Sequence, residues 1–337
     1  MNTKRKVAVI GCGSISKTHI AAIRSLGNTE IAALCDIRED RLSEDALLCP
    51  EASLYTDYKT MLDEISVDAV HICTPHYLHA EMAIAAMEHG FSVYLEKPCA
   101  MNRPEAEEIV RVSEKTGKTV CVSFQNRLND TTVKAKEIIE NGSLGALRGG
   151  KGIVAWHREG AYYSESGWRG KFATEGGGVL MNQSIHTLDL LYHFLGKAKT
   201  VKGHAALFKN TDTCDVEDMA EAYIVFQSGA TGVFFATTCN ATDSSVEIEL
   251  YFEKGTLRIN HEALYLYRDG TVATLCTNDT RITGKACWGS GHVRMIGAFY
   301  DALDGKESDY CDLRDAIPVL DIIAGIYRDS AVRPKIL

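Results

Sequence analysis

The fold of this 337-residue chain is indicated most clearly by the segment Val7-Ala8-Val9-Ile10-Gly11-Cys12-Gly13-Ser14-Ile15-Ser16. Its apolar run is typical of a buried strand, and the glycines that follow have the spacing Gly-x-Gly-x-x-Ser. Gly11 permits a tight turn, and Gly13 lets the backbone approach a pyrophosphate at the start of the next helix. Ser16 replaces a third glycine and is small enough for that packing position. We therefore predict that a dinucleotide contacts Gly11, Gly13, Ser14 and Ile15.

The segments that follow alternate between strand-like and helical patterns. Apolar runs at Glu30–Cys35, Ala69–Cys73, Phe91–Leu95 and Thr119–Phe124 are separated by stretches of helical periodicity. Alternation of this kind indicates βαβ units around a parallel sheet.

The pattern changes after Phe124. From Thr200 to about Cys276, strand-like segments follow one another without helices between them, which indicates a largely antiparallel sheet. The predicted fold class is therefore α/β. A Rossmann dinucleotide-binding domain is expected over residues 1–123, and an α+β domain with a large open, mainly antiparallel sheet over 124–337. The last predicted helix, Asp312–Ser330, is in a position to pack back on the first domain.

The composition is that of an ordinary globular protein, with 24% charged and 45% hydrophobic residues and a net charge of -9. The chain has no basic tail, so nucleic acid is not an expected partner. Its apolar runs are far shorter than the roughly 20 residues that span a bilayer, and the one after the basic N-terminus is too short for a signal peptide. Eleven cysteines without a Cys-x-x-Cys pair fit free thiols in a reducing compartment. We expect a cytoplasmic protein with no membrane partner.

An acidic residue supports the dinucleotide prediction. Asp36 ends the second predicted strand, at the distance of about 20 residues where a carboxylate binds the hydroxyls of the adenosine ribose. A carboxylate there repels a 2′-phosphate, so NAD is favoured over NADP, although Arg38 and Arg41 lie close in sequence. We predict NAD as the cofactor, with Asp36 and Ile37 among its contacts.

Two more predicted strands end in polar residues. Thr74-Pro75-His76-Tyr77-Leu78-His79 follows one of them, and its position suits the nicotinamide side of the groove. The spacing His-x-x-His is also found in metal sites, but no carboxylate or cysteine stands at ligand spacing, so we predict no metal.

The second of these strand ends carries Glu96-Lys97-Pro98, which closes the apolar run Phe91–Leu95. In open α/β sheets, ligands bind just outside the carboxyl ends of the strands. Lys97 is therefore predicted to stand where a cofactor and a substrate would meet. A surface ion pair with Glu96 is the alternative, but adjacent strand residues point to opposite faces, which makes that pairing poor.

Another polar cluster follows the glycines Gly176–Gly178. Asn182, His186, Asp189 and His193 fall at i, i+4, i+7 and i+11 and so share one stripe of a predicted helix. Such a stripe is usually a solvated face, but two histidines and an amide are an unusual choice for that purpose. We predict a functional role for His186 and a structural one for His193.

These motifs together resemble the Gfo/Idh/MocA oxidoreductases, which include glucose-fructose oxidoreductase and inositol dehydrogenase. The resemblance covers essentially the whole chain, and Glu-Lys-Pro with a downstream Gly-Gly…His-x-x-Asp is quite specific as a pair. It implies a Rossmann domain plus an α/β domain whose open sheet makes a homodimer or homotetramer interface. It also implies an enzyme that oxidises or reduces a hydroxyl carbon of a small-molecule sugar, inositol or related polyol with NAD(P).

The resemblance assigns roles to individual residues. It implies Lys97 as the catalytic lysine and His186 as the acid/base histidine. Asn182 falls where many members carry Asp, and an amide positions a hydroxyl but cannot take its proton. The predicted substrate contacts are Asn126, Tyr163, Arg169, Asn182 and Asp189. The predicted cofactor contacts, besides those already named, are Thr74, Pro75, His76, His79, Glu96, Lys97, Gln125, Trp168 and Arg169.

A weaker similarity concerns the substrate class. Tyr163, Trp168-Arg169-Gly170 and Leu180-Met181-Asn182-Gln183 look most like members that act on ring hydroxyls of glycosides or sugar nucleotides. The implied reaction is hydride transfer between a sugar C–H and C4 of nicotinamide. A neutral His186 is the natural base, because an unperturbed imidazole has a pKa of about 6.5, and cationic Lys97 stabilises the developing oxygen charge. The roles reverse if burial lowers the lysine pKa enough.

Two other functions fit the same residues. Some glycosidases of the family oxidise at C3, eliminate and re-reduce, so that they consume no net NAD. A nucleotide-sensing regulator of the same fold is the non-enzymatic alternative. The presence of both Lys97 and His186 argues against a regulator, because a sensor needs neither an acid nor a base. An NAD-dependent sugar or polyol dehydrogenase is the favoured prediction.

Overall fold

The computed structural model of the protein describes residues 4–209, 211–279 and 290–334. These residues form two compact units. The first holds the described residues as far as Gln125 together with 290–316, and the second holds 126–279 and the residues from Ile317 onward. This grouping differs from the predicted domains 1–123 and 124–337 at the C-terminal end, because 290–316 packs with the first unit.

The first unit is a parallel sheet covered by helices. Its elements are β1 (Arg5–Ile10), α1 (Ser16–Ser25), β2 (Thr29–Cys35), α2 (Glu39–Ala46), β3 (Ser53–Tyr55), α3 (Tyr58–Glu64), β4 (Ala69–Ile72), α4 (His79–Glu88), β5 (Ser92–Leu95), α5 (Arg103–Thr116), β6 (Val120–Val122) and, late in the chain, α10 (Gly291–Leu303). The six strands are parallel, in the order β3-β2-β1-β4-β5-β6, and α10 lies against α1. This order confirms the predicted Rossmann fold.

Local sequence signals set the ends of the longer helices. The side chain of Asn102 accepts a hydrogen bond from the N–H of Glu105 (3.0 Å) and so caps the start of α5, with a proline in the first turn. Gly117 ends the same helix in the left-handed conformation, with φ of 68°. These signals fix α5 after β5, so that the loop from Glu96 to Met101 is short.

The second unit is a mixed sheet with helices on one side. Its elements are α6 (Asp130–Asn141), β7 (Leu147–Ala155), α7 (Gly160–Ser164), α8 (Phe172–Glu175), α9 (Ile185–Leu195), β8 (Ala198–Ala206), β9 (Met219–Phe226), β10 (Thr231–Thr237), β11 (Glu247–Phe252), β12 (Gly255–Asn260), β13 (Ala263–Arg268) and β14 (Thr271–Thr277). The strand order is β14-β13-β12-β11-β7-β10-β9-β8, and every pair is antiparallel except β7 with β10. The predicted open, mainly antiparallel sheet is confirmed. The last helix, α11 (Leu313–Tyr327), runs across the division between the units.

The helix α9 lies close against the central strand β7 because that strand carries glycines. A Cβ on Gly152 would stand 2.7 Å from Cγ2 of Thr187, so only glycine leaves room for the helix there. The opposite face of the sheet keeps an alternating pattern of exposed side chains. Among the residues that the structure describes, no helix is both long and apolar enough to cross a membrane.

Candidate active site

The glycine loop of the first unit lies at the point where the strand order reverses. Gly11 has φ of +94°, and a Cβ there would stand 2.7 Å from the carbonyl group of Cys73, so both conformation and space require glycine. A Cβ on Gly13 would meet nothing within 4 Å, which leaves its backbone open to a ligand. Ser16 is buried in the third-glycine position, where its hydroxyl bonds to the carboxylate of Asp45 at 2.5 Å. The loop therefore fits a dinucleotide pyrophosphate.

The carboxylate of Asp36 is fixed beside this loop. One oxygen accepts the N–H of Cys12 at 2.7 Å, and the other accepts the N–H of Arg38 at 2.8 Å. Each carboxylate oxygen has a second lone pair, so Asp36 can still accept a ribose hydroxyl. The next side chain, Ile37, is 86% exposed, so it is accessible to the adenine ring of a bound dinucleotide. These two residues fit the adenosine end of NAD.

The loop after β4 is tied to the loop after β5 through His79. Its ring nitrogens lie 2.7 Å from the carbonyl oxygen of Pro98 and 2.9 Å from that of Thr74, and burial lowers its pKa. The side chain is fully buried, so its geometry argues for positioning these loops and against the predicted direct contact with cofactor. Two other predicted contacts suit a ligand better. Thr74 Oγ1 and Gln125 Oε1 are buried atoms for which the described part of the chain offers no hydrogen-bond partner.

Pro75 and His76 complete this loop. Pro75 is the residue before a short 3-10 helix, His76–Leu78, and His76 is a buried member of it. The rings of His76 and His79 are 5.7 Å apart, so the two histidines pack together. Pro75 and His76 therefore stay predicted cofactor contacts, and the loop sets their positions.

Lys97 is the one residue between 91 and 100 that is not buried. Glu96 is buried: it is 6% exposed, and its Oε1 lies 2.9 Å from Nε2 of His19. A buried Glu96 that bonds to His19 argues against the alternative of a surface ion pair with Lys97. Burial alone would raise the pKa of Glu96, but the hydrogen bond from His19 opposes it and holds that pKa well below its ordinary value. Glu96 is therefore a buried anion beneath Lys97.

The second unit presents a comparable arrangement. Between 175 and 191, the side chains of Asn182 and His186 are the two that are partly exposed, and all others are buried. The prediction of a single helical stripe is wrong at Asn182, because α9 begins only at Ile185. The residues before it form a turn whose N–H groups at Gly178 and Leu180 both donate to Oε1 of buried Glu217 at 2.9 Å.

A second buried carboxylate, Glu175, determines how Asn182 is oriented. It accepts the N–H of Gly170 at 2.6 Å and the side-chain N–H of Asn182 at 2.6 Å. Since the amide nitrogen of Asn182 donates to Glu175, the amide oxygen is the atom that can accept a substrate hydroxyl. Burial raises the pKa of Glu175 to about 7. The sequence prediction missed this residue, although an acid next to three glycines is a usable signal.

Two predicted substrate contacts have other partners. Asp189 is buried, and its carboxylate receives two hydrogen bonds from Arg127 at 2.6 and 2.9 Å. Tyr163 is 3% exposed, and its hydroxyl lies 3.1 Å from that of Thr238. Both geometries argue against contact with a substrate, because these polar groups are already engaged inside the unit. The ion pair instead anchors α9 near the residues that precede α6.

Arg169 and Asn126 remain suited to their predicted roles. The guanidinium of Arg169 lies 4.5 Å from the ring centre of Tyr162 and 4.8 Å from that of Trp168, so two aromatic rings hold it. Tyr162 is half-buried and was not predicted. Asn126 Oδ1 is a buried atom without a hydrogen-bond partner among residues 4–209, 211–279 and 290–334. A ligand hydroxyl would satisfy it.

A doubly wound sheet with this glycine loop, a carboxylate after β2 and a lysine after β5 defines a dinucleotide-binding α/β protein. Comparison with family models makes the assignment specific. Residues 5–124 match the oxidoreductase family with an NAD-binding Rossmann fold, and residues 132–258 match the GFO/IDH/MocA C-terminal domain. The chain belongs to the GFO/IDH/MocA family of NAD-binding oxidoreductases.

Relatives and solved structures agree with this assignment. The chain is 26% identical to D-glucoside 3-dehydrogenase of Escherichia coli (strain K12), over 98% of this chain and 97% of that protein. It is 25% identical to myo-inositol 2-dehydrogenase of Thermotoga maritima, over 75% of this chain and 74% of the relative. The WlbA dehydrogenase from Bordetella pertussis in complex with NADH and UDP-GlcNAcA superimposes with a TM-score of 0.83 at 28% identity, over 96% of each chain.

Proposed function

We propose that this protein moves a hydride between NAD and a ring hydroxyl carbon of a sugar, glycoside, sugar nucleotide or inositol, with Lys97 and His186 as its catalytic residues. One observation carries the proposal. Lys97 in one unit, and Asn182 and His186 in the other, are the polar side chains left partly exposed in two stretches that are otherwise buried. A lysine, an amide and a histidine that stay accessible among buried neighbours suit groups that act on a substrate.

The residues of the first unit would hold the cofactor. Gly11 and Gly13 suit its pyrophosphate, and Asp36 with Ile37 suits its adenosine. The carboxylate of Asp36 favours NAD over NADP because it would repel a 2′-phosphate. When bound, NAD supplies the hydride acceptor or donor at its nicotinamide.

The remaining chemistry belongs to three side chains. His186 takes the proton of the reacting hydroxyl during oxidation, and returns it during reduction. The ammonium group of Lys97 stabilises the negative charge that develops on the same oxygen. Asn182 accepts a hydrogen bond from a substrate hydroxyl through its amide oxygen, since its amide nitrogen is held by Glu175. An oxidised substrate carbon and a protonated His186 complete the half-reaction.

The substrate class that we propose first is a glycoside or sugar nucleotide. One relative that spans nearly the whole of both chains is a D-glucoside 3-dehydrogenase, and the WlbA complex contains UDP-GlcNAcA. The aromatic pair around Arg169 supports this choice, because a held guanidinium and flat rings suit a substrate with a large substituent beyond the sugar ring.

A substrate panel tests the proposal. Purified protein is given NAD or NADP with glucosides, UDP-sugars, free sugars and inositols, and NADH absorbance and aglycone release are followed together. We expect net NADH formation with NAD, fastest on a glucoside or a UDP-sugar. No net NADH with any member would reject a dehydrogenase. Aglycone release without net NADH would support the oxidation–elimination glycosidase instead.

We also propose that the protein is a homodimer or homotetramer through the sheet of its second unit. Tyr223 and Val233 are paired across strands β9 and β10 and are 52% and 51% exposed, and Val272 on β14 is 57% exposed. Apolar side chains repeated on one sheet face are typical of an interface. Light scattering should give more than one chain per particle, and Val233→Glu should shift the particle toward a monomer. A monomeric wild-type protein would reject this.

A further inference from the structure

A continuous line of buried polar side chains lies beneath Lys97 in the first unit. The hydroxyl of Tyr300 on α10 is 2.8 Å from Nε2 of His71, and Nδ1 of His71 is 3.1 Å from Nδ1 of His19. Nε2 of His19 is 2.9 Å from Oε1 of Glu96, whose other oxygen accepts the backbone N–H of Lys97 at 3.2 Å. All of these side chains except that of Lys97 are buried.

The hydrogen bonds along this line have a preferred direction. Glu96 is ionised, so it accepts and Nε2 of His19 must carry a hydrogen. Burial lowers the pKa of His71 well below its ordinary value, so this imidazole is neutral and has one N–H. With Tyr300 donating to Nε2 of His71, the His71 hydrogen stands on Nδ1 and is donated to His19. In the opposite direction, the hydroxyl of Tyr300 would need another acceptor, because Nε2 of His71 would then carry the hydrogen.

Aromatic packing holds the two histidines in place. The rings of His71 and Tyr94 are stacked with centres 4.9 Å apart, and the ring of His19 meets that of Tyr94 edge-on at 5.3 Å. The line is thus fixed from the side by β5 and at its far end by α10. The other titratable or charged groups that face it are Arg5, Asp68, Cys73, Tyr94, Lys97, Cys121 and His292.

We propose that His19 and His71 are positioning residues for catalysis: the line Tyr300–His71–His19 fixes the carboxylate of Glu96, and through it the place and the charge state of Lys97. The inference rests on the proposed role of Lys97. Apolar residues would fill this part of the core at lower cost, because each buried polar group must keep a partner. A purely structural role does not require that this line of hydrogen bonds lead to Lys97, the proposed catalytic residue.

Paired substitutions separate positioning from packing. His19→Gln keeps an N–H donor near the site of Nε2, and His71→Asn keeps one near the site of Nδ1, whereas Leu at either position removes the donor. We expect kcat to fall about 100-fold in His19→Leu and in His71→Leu, with at least about tenfold recovery in the matched Gln and Asn variants. NADH affinity, measured by fluorescence titration, should stay within about threefold in all four, because the glycine loop is unchanged.

The pH dependence of kcat/KM should move in a definite direction. Without the donor from His19, the pKa of Glu96 rises and less negative charge lies beneath Lys97. The neutral form of Lys97 is then favoured, so the limb of the profile that reports this lysine should move about one unit toward lower pH in His19→Leu. If the Leu variants bind NADH normally and show wild-type kcat and pH profiles, or if Gln and Asn lose as much as Leu, the proposal is overturned.

A second measurement needs no substrate and determines the direction of the hydrogen bonds along the line. Imidazole ¹⁵N NMR, with the His71 signals assigned by their loss in His71→Asn, should show neutral His71 with its hydrogen on Nδ1. A hydrogen on Nε2, or a doubly protonated His71 at neutral pH, would overturn the proposed line. If the wild-type protein oxidises no member of the substrate panel, the proposed function fails, and this measurement still tests the line by itself.

Discussion

The two regions that present the candidate catalytic residues each rest on a buried glutamate, and these glutamates have opposite properties. Glu96 beneath Lys97 accepts a hydrogen bond from His19, which holds its pKa well below normal against the effect of burial. Glu175 beside Asn182 bonds to a backbone N–H and an amide, and burial raises its pKa to about 7. Partners, not depth of burial, therefore decide whether such a glutamate stays ionised. The first region holds a fixed anion, and the second a group that titrates near neutrality.

Replacing Lys97 should have the largest effect, because it removes the candidate catalytic charge of the region that contains Glu96. Lys97→Met keeps the length of the side chain but removes the charge that stabilises the substrate oxygen. We expect kcat to fall by about 1000-fold, with NADH binding within a few-fold of wild type. Steady-state kinetics on the best panel substrate measure this. Lys59→Met, which removes an exposed lysine paired with Glu81, is the control. Full turnover by Lys97→Met would reject its catalytic role.

Breaking the buried ion pair should have the next largest effect, on stability. Asp189→Asn leaves the guanidinium of Arg127 buried beside a neutral amide, and we expect the free energy of unfolding to drop by about 3 kcal/mol. Urea unfolding measures it. The exposed pair of Arg103 with Glu107 gives the matched control, because Glu107→Gln should cost less than about 1 kcal/mol. Equal losses of unfolding free energy in both variants would show that the buried pair stabilises the protein no more than an exposed one.

Replacing His186, the histidine of the second region, tests whether it is a catalytic residue as Lys97 is proposed to be. In His186→Asn the base is lost but an amide of similar size stays, so we expect kcat to fall about 100-fold. The limb of the pH profile that reports the histidine should also disappear. His193→Asn is the control, since burial with the charges of Arg127 and Lys136 lowers the pKa of His193 to about 3 and gives it no part in the chemistry. Equal kinetics for the two variants would contradict the assignment.

Glu175→Gln should have the smallest effect, and it tests directly what the second buried glutamate does for Asn182. Glutamine has one side-chain oxygen, so it cannot accept from both Gly170 and Asn182. The amide of Asn182 must turn round and present its N–H₂ group, and we expect KM for the sugar to rise about tenfold with little change in kcat. An unchanged KM would argue that Asn182 does not accept a substrate hydroxyl.

The same variant has a pH signature in stability. The pKa of Glu175 in the folded protein, about 7, is above its ordinary 4.5, so the folded state binds the proton more tightly than the unfolded state. The stability that this group contributes is complete below pH 4.5 and is lost as the pH rises through about 7. Glu175→Gln cannot titrate, so its melting temperature should fall less than that of the wild type between these values. Parallel curves would show that Glu175 is not the group involved.

Several features of this protein could be predicted from short stretches of its sequence. The glycine loop with its strand, the carboxylate of Asp36 and the alternation of strands and helices predicted a Rossmann fold and NAD, and the strand order and the family match confirm both. These predictions succeed because each depends on neighbours within a few residues: a turn that needs glycine, or a side chain at a strand end. The same holds for Lys97, whose place follows from the strand before it.

Other features depended on groups that are distant in sequence. Asp189 was predicted to contact a substrate, but Arg127 lies 62 positions earlier and takes both of its oxygens. Asn182 was placed on a helix, but two buried glutamates hold it in a turn. No periodicity shows that a polar residue is already engaged, since its partner belongs to another element.

The class of fold, the nucleotide site and the candidates Lys97 and His186 could all be predicted from the sequence, because short-range conformational rules act on adjacent residues. The partners of the buried polar groups, in contrast, follow from tertiary packing. The low dielectric of the core makes every buried charge depend on its partners, and those partners, His19 and His71 for Glu96 and Asn182 for Glu175, come together only when the chain has folded.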